Sequence, residues 1–214
     1  MQTNLSDVEQ RIRRYWYSDG IGELIGGGMF ILLGIYFALQ EFVGQDSTLG
    51  GILQVSLILL MIAGAWVSRK LVNGLKTRLT YPRTGYVEYR VNKNDTRWGR
   101  IWVAGLAFGI SGLTMVFVRL FQSFDSIVTV TGLAVGLILV VLRAKSSGLA
   151  RFYILGAVSL VLGLALSVSG LPNAYSLGLF YGLMGACFII SGGWTLRRYL
   201  EKNPLPADLG HQNG

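Results

Sequence analysis

Residues 21–43 read IGELIGGGMFILLGIYFALQEFV, and between Glu23 and Glu41 the stretch carries no charge. A run of this kind matches the roughly 20 residues with which an α-helix crosses a hydrocarbon core of about 30 Å. The segment before it, Met1 to Asp19, is polar and mixed in charge. The run lacks the short apolar core and small-residue cleavage site of a removable leader, so it reads as a retained span. Five further apolar runs follow, at Leu49 to Val67, Ile101 to Phe121, Ile127 to Leu142, Phe152 to Gly170 and Leu177 to Leu196. Across the 214 residues, 52% are hydrophobic and only 14% charged, too apolar a balance for a water-soluble domain of this size. Six spans and their connections use nearly the whole chain. The fold class read from the sequence is therefore an all-α integral membrane protein of six transmembrane helices.

The basic residues set its orientation. Of 19 Lys and Arg, all but Arg119 fall before the first span, between the second and third, between the fourth and fifth, or after the sixth. The connections on the other side carry Glu41, Asp46 and Asp125. The positive-inside rule then places both termini in the cytoplasm, N-in and C-in, in a plasma or bacterial inner membrane. The net charge of +8 is thus a topology signal, and nucleic acid is not an expected partner. A bias this one-sided argues against insertion in two opposite orientations, so a homo-oligomer is expected to be parallel.

Within the odd-numbered spans a glycine pair recurs at a spacing of seven, the second glycine followed by Ile or Leu: Gly27/Gly34-Ile35, Gly105/Gly112-Leu113 and Gly156/Gly163-Leu164. Self-similarity of this kind predicts three parallel helical hairpins. Glycines at i and i+7 share a helix face and let backbones approach closely, so these six are expected to be helix-packing positions. Spans two and six also agree at their basic ends, where Gly64-Ala65-Trp66 precedes Arg69-Lys70 and Gly192-Gly193-Trp194 precedes Arg197-Arg198. Trp66 and Trp194, each followed by two cations, are expected interface anchors. A parallel repeat differs from the inverted repeats of many alternating-access carriers.

The chain accordingly divides into an amphipathic interfacial helix (1–19), hairpin 1 (20–68), a basic cytoplasmic loop (69–100), hairpin 2 (101–143), hairpin 3 with its preceding basic loop (144–198) and a disordered tail (199–214). Ser6 and Glu9 have capping-box spacing ahead of Arg11 to Tyr17, where three cations lie beside three aromatics as on a short amphipathic helix lying at a membrane surface. In the basic loop, Lys76 to Tyr81, then Pro82-Arg83-Thr84-Gly85, then Tyr86 to Val91 suggest a small β-hairpin with its turn at the proline and glycine.

Candidate chemistry is sparse. The span centres hold no ionisable residue, the usual mark of a transport or proton-relay site. Nearest are Asp19 and Glu23, at the start of span one ahead of Gly26-Gly27-Gly28. They are candidates for binding a cation or amine, and equally for a helix start favoured by its dipole. Gln54, Ser56, Ser111, Thr114 and Ser159 suit interhelical hydrogen bonding. Arg78, Arg83 and Arg90 are candidates for an anionic lipid headgroup or another phosphate. No glycine-rich phosphate loop, no metal-ligand cluster and no nucleophile with a histidine base occurs, since the single histidine is His211 in the tail and the single cysteine, Cys187, sits in an apolar run. No enzymatic activity and no cofactor are expected. The expected function is an oligomeric lipid- or small-molecule-binding membrane module with anionic lipid on its cytoplasmic face. The alternatives are a transporter or channel for a small or cationic solute, and a scaffold for a cytoplasmic partner.

Overall fold

Span one becomes helical at Ile21 because the chain before it supplies both a turn and a cap. Gly20 has φ +72°, a conformation side-chain-bearing residues rarely adopt, and the Ile21 amide donates to Asp19 Oδ1 at 3.2 Å. The computed structural model describes residues 17–43, 48–84, 126–144 and 148–204. In these, α1 is Ile21–Val43 and α2 is Thr48–Leu75, prolonged by a π-helical stretch, Lys76–Thr80, and a last α-turn, Tyr81–Thr84. Next, α3 is Ser126–Ile138, continued by π-helical Leu139–Ala144. The last two helices are α4, Ala150–Ser167, and α5, Asn173–Lys202. Gly170, with φ +70°, and Pro172 turn the chain between them.

Four of these helices, α1, α2, α4 and α5, are long and apolar enough to cross a membrane, while the apolar part of α3 is shorter. The described chain is all-helical, consistent with an α-helical membrane protein. The interfacial segment 1–16, span three with Gly105 and Gly112, Arg90 and the Tyr86 to Val91 stretch lie outside the described residues.

Two expectations need correction. The first arm of the β-hairpin, Lys76 to Tyr81, is helical, because α2 runs without a break past the end expected for span two. The helix carries through Asn73-Gly74, and its ladder widens to a π-helical turn over Lys76–Thr80, directly ahead of Pro82, which has no backbone N–H to donate. At the other end, Tyr199 to Lys202, expected in the tail, form the last turn of α5.

Helix packing follows the glycines. Gly20, Gly27 and Gly34 of the first span lie against Gly192, Gly185 and Gly178 of the last, an antiparallel seam with steps of seven on both strands. A Cβ built on Gly27 would sit 2.7 Å from the Gly185 carbonyl oxygen, and one on Gly34 would sit 2.8 Å from that of Gly178. Neighbouring Gly26 and Gly28 face open space, so the restriction belongs to one face. The close partner of α1 is thus α5. In the same way α3 and α4 meet through Gly132 with Gly163 and Gly136 with Gly156, and Ser159 donates to the Gly132 carbonyl at 2.8 Å. Where α3, α4 and α5 converge, Val128, Leu139, Phe152, Leu155, Phe180, Met184 and Phe188 form the buried cluster. Beside it, Phe30 and Phe37 of α1 pack on Tyr181 and Phe188 of α5.

Candidate functional site

The start of α1 and the cation-bearing ends of the other four helices gather at one end of the bundle, and there the two carboxylates singled out in the sequence are both buried and both paired. Asp19, just ahead of α1, receives Lys76 from the π-helical end of α2, with Nζ 3.1 Å from Oδ2 and side-chain exposures of 5% for Lys76 and 1% for Asp19. Thr80, one turn further on, donates to the same oxygen at 3.4 Å. The wider π-helical turn presents Lys76 and Thr80 together towards the start of α1.

Glu23 lies one turn into α1. Its Oε1 is 2.7 Å from a terminal nitrogen of Arg151, at the start of α4, and its Oε2 accepts from the Ser191 hydroxyl of α5 at 2.7 Å. Arg151 also donates to Thr195 Oγ1 at 2.8 Å and to the Tyr17 carbonyl. One guanidinium therefore binds α1, the segment before it, and α5. Arg143, from the end of α3, lies 4.6 Å from the Tyr17 ring, bringing that helix into the same cluster. A charge held in such an environment persists only if compensated, and both carboxylates are compensated from inside the protein.

Of the expected phosphate cluster, Arg78 is exposed, while Arg83 donates to the Asn203 carbonyl at 2.8 Å and the Leu200 carbonyl at 3.4 Å. Arg83 thus caps the end of α5, whose last carbonyls have no intrahelical donor. Trp66 and Trp194 are both exposed, each with a cation four residues on over its ring, Lys70 Nζ at 3.8 Å and Arg198 at 5.3 Å. Gly27, Gly34, Gly156 and Gly163 all lie in the helix seams described above.

Beside the Arg151 cluster opens a cavity of about 930 Å³ between the start of α4 and the last three turns of α5. Its wall carries Leu149, Ile190 and Trp194 on the apolar side and Arg151, Arg198 and Lys202 on the charged side. Its size lies within the roughly 300–1,000 Å³ range of small-molecule sites. Among the described residues, Arg151 Nε is the buried side-chain nitrogen or oxygen left without a hydrogen-bond partner. Arg197, by contrast, turns to Glu201 at 3.0 Å, and among the described residues no carboxylate pairs with Arg198 or Lys202 on the cavity face.

Sequence reasoning missed Lys76, Thr80, Arg151, Ser191 and Thr195 as members of this cluster, and Arg198 and Lys202 as a cavity wall. The signal for the last two was present: Ile190, Trp194, Arg198 and Lys202 recur at steps of four. Comparisons of the chain with protein-family models, with curated proteins and with solved structures find no match.

Proposed function

We propose that the chain is a membrane-embedded binding module for an anionic lipid, held at the basic end of the bundle. The observation that carries this is the stripe on α5 that lines the cavity. From Ile190 through Trp194 to Arg198 and Lys202, the wall passes from aliphatic to aromatic to cationic, advancing about 6 Å per step of four residues. A lipid has the same order along its length: acyl chain, interfacial region, charged headgroup. Aromatic rings at headgroup level and cations just beyond them are the residues that meet it. Arg198 and Lys202 are also a like-charged pair at i and i+4, a spacing at which helices are destabilised unless an anion lies between the charges.

The distribution of Lys and Arg supports an orientation with this end at the cytoplasmic leaflet, which carries the anionic lipids. Cation binding at Asp19 and Glu23 ranks second, because Lys76 and Arg151 already occupy both carboxylates.

The test is native mass spectrometry of the protein released from mild detergent after equilibration with anionic and zwitterionic lipids of identical chains. The wild type is expected to retain an anionic-lipid adduct at fixed stoichiometry, and Arg198→Gln with Lys202→Gln to lose most of it. A double variant that holds the adduct as the wild type does would overturn the proposal.

A further inference from the structure

We infer that the cavity selects, among anionic lipids, those whose headgroup beyond the phosphate is neutral and hydroxyl-bearing. This rests on the lipid reading of the cavity and adds the chemistry of the headgroup. Among the described residues, the cavity wall contains three cations and no carboxylate. Glu23 lies behind Arg151, and Glu201 is held by Arg197 on another face of α5. A headgroup ammonium entering here would meet Arg198 and Lys202 with nothing to neutralise it.

Hydrogen bonding points the same way. An ammonium only donates, whereas hydroxyls and phosphate oxygens accept. The wall offers donors on Arg198 and Lys202. The Ser191 and Thr195 hydroxyls, also on the wall, already donate to Glu23 and to the Ser191 carbonyl. What they have left to offer is lone pairs, and a headgroup hydroxyl can donate to these. A phosphodiester bearing a polyol satisfies both sets of groups without adding positive charge, whereas one bearing an amine brings an ammonium beside Arg198 and Lys202.

The experiment uses the full-length protein in mild detergent with an equimolar mixture of dioleoyl phosphatidylglycerol, phosphatidylserine and phosphatidylethanolamine, read by native mass spectrometry. Phosphatidylserine has the same net charge as phosphatidylglycerol but carries an ammonium and a carboxylate in place of the neutral hydroxyls, so the pair compares a zwitterionic with a polyol headgroup at equal net charge, and phosphatidylethanolamine carries the ammonium without the carboxylate. Retention of phosphatidylglycerol is expected to exceed that of phosphatidylserine by about tenfold, the ratio that about 1.4 kcal/mol produces. Lys202→Glu, which puts a carboxylate on an exposed rim position, is expected to shift the ratio towards the two amine headgroups. Lys202→Gln is expected to weaken phosphatidylglycerol without that shift.

Equal retention of phosphatidylglycerol and phosphatidylserine would overturn the headgroup selection and leave the anionic-lipid site standing. Failure to retain any anionic lipid would overturn both. Binding of glycerol phosphate without acyl chains, as tightly as of the lipid, would assign the same donors to a soluble phosphate and overturn the lipid reading.

Discussion

The two helices that flank α1 hold it by different physics. Against α5, the contact is a row of backbone approaches: three glycines on each helix remove the side chains that would keep the axes apart, and nothing charged is needed until the basic end. Against α2, most of the facing helix is exposed, and the attachment concentrates at a few points. Met29 packs on Gly64, the Tyr36 hydroxyl donates to the Leu53 carbonyl at 3.0 Å, and Lys76 reaches Asp19. In a bilayer, where lipid tails are as apolar as leucine, neither contact is driven by the hydrophobic effect. The seam relies on dispersion over a long continuous surface, and the second contact on a few polar links whose alternative is an unsatisfied group.

The sharpest way to break this contrast is to fill the seam. Gly27→Leu is expected to cause the largest loss, since the side chain would meet the Gly185 carbonyl and the Ile189 backbone. Overpacking typically costs about 1–3 kcal/mol and occasionally more, and here backbone must move. Gly26→Leu and Gly28→Leu, one position to either side, should leave the thermal midpoint in detergent near wild type. Equal damage from all three would show that the seam is not the specific element.

Next in size is the buried ion pair that pins α2. Lys76→Met is expected to destabilise by about 3–5 kcal/mol, because Asp19 is left charged and buried without its partner. Adding Asp19→Asn should recover most of that loss in chemical unfolding from mixed micelles. A double variant no better than the single would show that the two residues act separately. Glu23→Gln is expected to cost less, with a coupling to Arg151→Gln of about 0.5–3 kcal/mol in a double-mutant cycle. It should leave the lipid adduct in place, and loss of the adduct would make Glu23 part of the binding site. Smallest is Tyr36→Phe, which removes one hydrogen bond between α1 and α2 and is expected to cost about 0.5–1.5 kcal/mol.

The same contrast explains what could be read from the chain beforehand. The seven-residue glycine spacing is a property of sequence, so Gly27, Gly34, Gly156 and Gly163 were legible as packing positions, even though their partner helices were not. The matching set Gly178, Gly185 and Gly192 has the same spacing, but it lies on an even-numbered span and was hidden by attention to the odd ones. Ion pairs carry no such period. Nothing local connects Glu23 to Arg151, and the burial of both depends on four helix ends arriving together. The misreading of Lys76 to Tyr81 has a different cause: six residues of mixed character fit a strand as well as a helix, and the helix already running through Leu75 decides it. For the cavity, residue types at steps of four on α5 were visible. The hollow beside them depends on where Leu149 and Arg151 begin α4, which sequence alone does not give.

The glycine seam also imposes an order on synthesis. Its two halves, residues 20–34 and 178–192, lie far apart in the chain, so when α1 is made its partner has not yet been. Through the translation of every intervening helix, the bare face of α1 must rest against lipid or a temporary neighbour. The docking that closes the bundle comes only once residues 178–192 have left the ribosome and inserted. A messenger truncated ahead of residue 178 would therefore leave α1 without the glycine face it packs against.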